Sequence, residues 1–237
     1  MNTGGKRTLN YKIITYGLAA SFALAAGGWT IHAINNPDTV EDMPEIDRVK
    51  YAQAAPRFNP ALWNDLHTDK KNIRKSIQIH SNCYAYVVNN RISEDKYSFP
   101  VPGINGKISE GEQLRHKLFP ILFTSRGSIR AGAVQDGLIP IDKNEKVPEG
   151  YYLAALFVRP GVFFMGGFHW YRLDADDQGN LFWTHKPGNT KARDTDESGQ
   201  KIVDLRKAER GYALPQFGGY FLIPQNGMRF DPPVPRL

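Results

Sequence analysis

A chain of 237 residues with 41% apolar and 23% charged residues carries enough hydrophobic material for one folded domain plus flanking segments, which excludes a wholly disordered protein. The net charge of +6 favours contact with anionic surfaces. The basic residues are scattered among acidic ones without interleaved aromatics, so a nucleic-acid-binding role is set aside.

Lys6, Arg7 and Lys12 precede an uncharged run from Ile13 to Ile34, long enough for a bilayer-spanning helix. A cleaved signal peptide is the competing reading, with an apolar region from Ile13 to about Ala26 and a small-x-small site at Ala23-Leu24-Ala25. The anchor is preferred, because Trp29, Ile31 and Ile34 prolong the apolar character and Trp29 suits a membrane interface. Positive charge before the run, and Asp38, Glu41, Asp42 and Glu45 after it, place the rest of the chain outside the cytoplasm. Residues 1–35 are thus expected to be a membrane anchor or signal peptide, and 36–75 a linker and lead-in helix. A folded domain follows over 76–224. The tail, 225–237, contains Pro232, Pro233 and Pro235 and should lack regular structure.

Within the lead-in, helical hints between Arg48 and Leu66 are broken by Pro56 and Pro60, and Lys70, Lys71, Arg74 and Lys75 form a solvated basic face. The next stretch, His80-Ser81-Asn82-Cys83-Tyr84-Ala85-Tyr86-Val87-Val88, holds the only cysteine. Ser81 or Asn82 can cap a helix whose first turn contains Cys83. A thiol in that position faces unpaired backbone N–H groups and the positive end of the helix dipole, which favour thiolate. The bland alternative is a small buried hydrophobe. An unpaired cysteine outside the cytoplasm tips the balance toward chemistry.

A Gly- and Pro-rich loop spans Ser93 to Lys107, and short helices are expected at Glu110–Leu118 and Ser128–Val134. Asp136-Gly137 then turns the chain into Leu138–Ile141. Strands are predicted at Tyr151–Val158, Gly167–Leu173, Leu181–His185 and Phe217–Ile223, the middle two joined by the turn Asp174–Asn180. The polar excursion from Thr190 to Gly211 should hold a short helix near Leu205–Glu209. A helical first half and an antiparallel second half make an α+β domain.

A hairpin turn centred on Asp177 would set His169 directly opposite His185, with their imidazoles within hydrogen-bond reach. A two-residue turn at Gln178-Gly179 would instead oppose Arg172 to His185. In the first register Cys83, His169 and His185 form a nucleophile, a base and an orienting group.

Three motifs carry a family resemblance: Asn-Cys-Tyr-Ala-Tyr opening a helix, Phe-His-Trp-Tyr-Arg on a strand, and Trp-Thr-His-Lys-Pro-Gly-Asn on the next. Across residues 76–223 they resemble the papain-like cysteine hydrolases, nearest to the NlpC-type and related amidases that cleave peptide bonds of bacterial cell walls. The resemblance implies a papain-like α+β fold. In it, N-terminal helices carrying the cysteine pack on an antiparallel sheet carrying the histidine, here behind a single N-terminal membrane helix. It also implies Cys83 as nucleophile, His169 as general base, and a third polar residue at His185 with Asn189 as fallback. The oxyanion would be held by the Cys83 N–H and by the side chain of Asn82 or Gln78. Tyr84, Tyr86, Trp170 and Trp183 would line the cleft.

The expected protein is therefore a cofactor-free cysteine peptidase or amidase anchored in a bacterial inner membrane through residues 13–34. It would face the periplasm and act on peptide or peptidoglycan. Three other readings stay open. One is a zinc site built from His80, Cys83, His169 and His185. Another is a non-catalytic, membrane-tethered binding or scaffold module with an inert Cys83. The third is acyl transfer to or from lipid. No oligomeric state follows from the sequence.

Overall fold

Tyr151–Arg159 is apolar in nearly every position because both of its faces are covered. In the computed structural model, which describes residues 43–68, 72–93, 100–103, 123–141, 148–162, 166–210 and 216–228, this strand is the middle of an antiparallel sheet. The chain divides into Met1–Pro37 and Asp38–Leu237. The first unit, with the run Ile13–Ile34, lies outside the described residues.

In chain order the elements are α1 (Ile77–His80), α2 (Cys83–Val87), β1 (Phe123–Thr124), α3 (Arg126–Gln135), β2 (Ile139–Ile141), β3 (Tyr151–Arg159), β4 (Gly161–Val162), β5 (Gly167–Ala175), β6 (Leu181–His185) and β7 (Gln216–Pro224). The main sheet runs β2-β7-β3-β5-β6, with every neighbouring pair antiparallel, and β1 pairs with β4 separately. Side chains alternate between faces along each strand. Leu153, Ala155, Phe157, Tyr171, Leu173 and Trp183 face a core closed by Met43, Tyr51, Ile202 and Leu205. Tyr152, Ala154, Leu156, Trp170 and Phe221 face a second core, closed by Cys83, Tyr84 and Val87 of α2 and by Ile129 and Ala133 of α3.

The expectation of a papain-like α+β fold, helices carrying the cysteine on a sheet carrying the histidine, is corrected here; the membrane helix expected at 13–34 lies outside the described residues. The described residues are mostly antiparallel sheet, with few and short helices, and no helix among them is long and apolar enough to cross a membrane. The local causes are legible. Arg48–Ala54 and Pro60–Leu62 are 3-10 turns, because Pro56 and Pro60 cannot donate to a continuous helix and Asn59 caps the second turn instead. Ser81 and Asn82 are both extended, so α1 and α2 are separate pieces of four and five residues. Leu205–Ala208 forms turns rather than the expected helix. The helix expected at Glu110–Leu118 and the tail beyond Met228 lie outside the described residues.

Two features hold the helical pieces to the sheet. Between Leu156 and Phe157 the β3–β7 register slips, so Leu156 pairs with Gly219, Phe157 pairs with Phe217, and Gly218 is left as a bulge. A Cβ at Gly218 would lie 2.4 Å from Leu156 Cγ, and Arg130 of α3 docks there by donating from Nη1 to the Gly218 carbonyl at 3.1 Å. On the α2 face, buried Arg172 donates to both oxygens of Asp174, at 2.6 and 2.9 Å, and to the Tyr86 carbonyl at 3.1 Å. Tyr86 Oη and Thr184 Oγ1 reach the same carboxylate, so α2, β5 and β6 share one fully bonded polar cluster.

Candidate functional site

Cys83 opens α2 as the motif suggests. Asn82 Oδ1 accepts from the N–H groups of Tyr84 and Ala85 at 3.1 and 3.0 Å, a side-chain cap on the helix start. The thiol is 5% exposed and points to the Phe168 carbonyl, with Sγ 3.9 Å from that oxygen. Burial pushes the thiol up to about 12, against the opposing pull of nearby N–H groups and the Lys186 charge. The thiolate expected from the helix start is thus corrected to a neutral resting thiol. A helix of five residues has too small a dipole to outweigh desolvation.

The two histidines meet, though not in the expected register. Tyr171, not His169, is the cross-strand partner of His185, so the hairpin is centred on Gln178. His169 lies two residues further along β5, on the same face, and β6 ends before reaching it. The rings bridge this diagonal, with His169 Nε2 2.8 Å from His185 Nδ1. Tyr171 lies between them on the strand. Its ring stacks on His185 and meets His169 edge-on.

Two groups approach the far nitrogen of His185: the Thr195 carbonyl at 2.9 Å and Arg193 Nε at 3.1 Å. The carbonyl can only accept and the Arg193 Nε–H can only donate, so the two contacts call for opposite tautomers of His185. With the proton on Nε2, bonded to the Thr195 carbonyl, Nδ1 accepts from His169 Nε2–H and the lone pair of His169 is left on Nδ1; with Nε2 accepting from Arg193, the direction of the His169–His185 bond reverses. Burial first, then His185 and the Arg193 cation, hold His169 well below the ordinary histidine range. Burial likewise lowers His185 to about 4. Both rings are neutral at pH 7.

Cys83 belongs to the core on the α2 face, whereas His169 follows Tyr171 onto the opposite face. Both reach the end of the sheet, where β6 has stopped and Gly167 to Trp170 have no strand partner on that side among the described residues. There both line one cavity of about 290 Å³, together with Asn82, Arg159, Gly167, Phe168 and residues 187–190. The segment 187–190 is fixed by Lys186, whose fully buried ammonium donates to the carbonyls of Gln78 at 2.6 Å, of Gly188 at 2.8 Å and of Ser81. All three ammonium donors are used, and burial lowers this lysine to about 8.

Several expected roles are corrected. One N–H of Asn82 Nδ2 donates to the Pro100 carbonyl at 2.8 Å while the side-chain oxygen caps α2, which leaves a single N–H of this cavity-lining amide for an oxyanion. Gln78 lies outside the cavity, with its Nε2 3.4 Å from the Asn189 carbonyl. Tyr84 and Tyr86 are core residues bonded to Asp136 and Asp174 respectively. Trp170 and Trp183 are buried in the two opposite cores and do not line the cleft. Asn189 lines the cavity, but His185 is the residue beside His169. Among the described residues no group of three or more His, Cys, Asp or Glu is placed to hold a metal ion, which sets aside the zinc set with His80.

Lys186, Arg159 and Arg193 were not singled out from the sequence. Lys186 stands in the Lys-Pro-Gly-Asn segment, where the only signal is a hairpin end, and its acceptors come from residues distant in the chain.

No family model matches the chain, and no solved structure matches it. Over 155 residues, 65% of this chain and 82% of the relative, it is 33% identical to insoluble matrix shell protein 1 of Ruditapes philippinarum. That relative is named as an insoluble matrix protein of a shell. This similarity to a mollusc shell matrix protein overturns the placement in a bacterial inner membrane facing the periplasm. The description as a membrane-bound cell-wall hydrolase is corrected with it.

Proposed function

The chain belongs to the family of insoluble matrix shell protein 1, and within that family we propose that its folded domain carries a thiol-based acyl-transfer site. The observation that carries this reading is that Cys83 and His169 line one cavity while the His185 ring is hydrogen-bonded to that of His169. The resemblance of the Asn-Cys-Tyr and Phe-His-Trp motifs to papain-like cysteine enzymes supports the same roles.

The chemistry starts from a neutral pair. As Sγ of Cys83 attacks a carbonyl carbon of a peptide or carboxamide, Nδ1 of His169 takes the thiol proton. His185 keeps the ring oriented and shares the positive charge that develops. The Cys83 N–H, at the start of α2, faces the oxyanion. Lys186 lies close enough for its charge to stabilise the sulfur as negative charge builds on it. His169 then gives its proton to the leaving amine, and an acceptor nucleophile resolves the thioester.

A second reading, an inert scaffold domain, is favoured by the burial of Cys83 and by the relative's name as an insoluble matrix protein. The two separate on one experiment. The full chain is incubated with small p-nitrophenyl esters, quenched in acid and weighed by mass spectrometry. Acyl transfer gives an adduct at Cys83 that hydroxylamine removes and that Cys83→Ala lacks. No adduct at Cys83 rejects the proposal in favour of the scaffold.

A further inference from the structure

The ring nitrogen of His185 that points away from His169 meets two groups with opposite demands. The Thr195 carbonyl, 2.9 Å from Nε2, can only accept, and the Arg193 Nε–H, with Nε 3.1 Å from the same atom, can only donate. The backbone fixes both. Arg193 and His185 exchange N–H to carbonyl bonds in both directions, each at 2.9 Å, and Thr195 is bridged to Lys201. The guanidinium is held at its far end too, where Nη2 donates to Glu197 Oε1, and the Glu197 N–H donates to the Glu209 carbonyl at 3.1 Å.

The tautomer chosen at His185 passes to its neighbour. With its proton on Nδ1, His185 donates to His169 Nε2, and neutral His169 then carries its own proton on Nδ1, where the base is needed. A hydrogen bond from a cation is roughly twice as strong as one between neutral groups, and a guanidinium repels the positive end of an N–H that faces it. Arg193 therefore prevails over the carbonyl.

Resting on the acyl-transfer reading above, we propose that Arg193 is a positioning residue that holds the His185–His169 pair in an idle tautomer and so restrains the site. Acylation draws on the minor form, in which His185 Nε2–H turns to the Thr195 carbonyl and His169 Nδ1 bears a lone pair. In the reversal the shared proton passes from His185 Nδ1 to His169 Nε2. His169 releases one proton from Nδ1 and His185 takes one up on Nε2, so the charge of the pair is unchanged. The Arg193 side chain is 34% exposed, so it can leave the ring without disturbing the core, and the carbonyl then decides the tautomer.

The test labels the histidines of the full chain with 15N and reads by NMR at pH 7 which nitrogen of each ring carries hydrogen. His169→Gln and His185→Asn assign the signals. The expected result is Nδ1–H on both rings of the unaltered chain and Nε2–H on both in Arg193→Met. Arg193→Lys should give a mixture, because its ammonium donates without the rigid fork of a guanidinium. Acylation of Cys83 by p-nitrophenyl esters should rise about tenfold in Arg193→Met and less in Arg193→Lys. Circular dichroism melting establishes that each variant is folded. Nε2–H on His185 in the unaltered chain overturns the proposal, as do tautomers unchanged in folded Arg193→Met. So does a reversal of tautomers that brings no gain in rate to a chain that is acylated. If the tautomers reverse but no chain is acylated at Cys83, the acyl-transfer reading fails while the tautomer assignment stands. Loss of folding in both variants counts against the proposal, because Arg193 would then be a structural residue.

Discussion

His169 Nε2 lies 2.8 Å from His185 Nδ1, although the strand register pairs His185 with Tyr171. The contact crosses a diagonal of the sheet and depends on both rings extending toward the free end of β5. For His169 to serve as base from Nδ1 it must donate from Nε2, which calls for an acceptor at position 185. His185→Asn supplies an amide oxygen that can accept, whereas His185→Phe supplies none. Acylation of Cys83 by p-nitrophenyl esters is expected to fall ~10- to 100-fold in His185→Phe and less in His185→Asn. Equal rates in the two variants would show that His185 acts only by filling space.

The same pair makes stability depend on pH. His185 titrates near 4 in the folded chain but near 6.5 when unfolded, and His169 is displaced in the same direction. Between those values the unfolded chain binds protons that the folded chain does not, so stability falls as pH drops from about 6.5 toward 4. The loss attributable to His185 is up to ~3 kcal/mol. Urea unfolding at pH 7 and pH 4.5 should show the loss, and His185→Asn should narrow it. Stability that does not change, or rises, at pH 4.5 would mean that these rings are not held neutral.

Asp174 is the counter-charge of Arg172, which is 2% exposed. Asp174→Ala leaves that guanidinium buried and unpaired and removes an acceptor from Tyr86 and Thr184. A loss of ~3–5 kcal/mol is expected, read as a lower urea midpoint. The double change Arg172→Met/Asp174→Leu should recover much of it, because it removes the uncompensated charge. Since the cluster anchors α2, Cys83 in Asp174→Ala should also exchange more freely with solvent.

The strands were the most legible part of the chain. The apolar block from Tyr151, the alternation through Gly167–Leu173 and the run Leu181–His185 mark β3, β5 and β6 to within a few residues. The helical layer was not, because two prolines and the adjacent caps Ser81 and Asn82 divide it into turns that no periodicity reveals. The hairpin register was hidden as well. Asp176 Oδ1 accepts from the N–H groups of Gln178 and Asn180, and Gly179 takes a positive φ of 84°, which together centre the turn on Gln178. The aromatic residues beside the motifs suggest a cleft lining, but strand alternation turns Trp170 and Trp183 into opposite cores. Lys186 was illegible for a different reason. A buried ammonium needs acceptors, and its three carbonyls belong to residues 78, 81 and 188, which only the folded chain brings together.

The most direct measurement is the pH–rate profile of Cys83 alkylation by iodoacetamide, in the unaltered chain and in His169→Gln. If His169 is the base for a neutral thiol, the unaltered chain should react at a rate that stays level above neutrality and declines only well below pH 6.5. His169→Gln should react ~10²- to 10⁴-fold more slowly at pH 7, and its rate should climb with pH toward the thiol value of about 12. Identical rates in the two chains at pH 7 would contradict the account, because the sulfur and the imidazole would then share a cavity without sharing a proton.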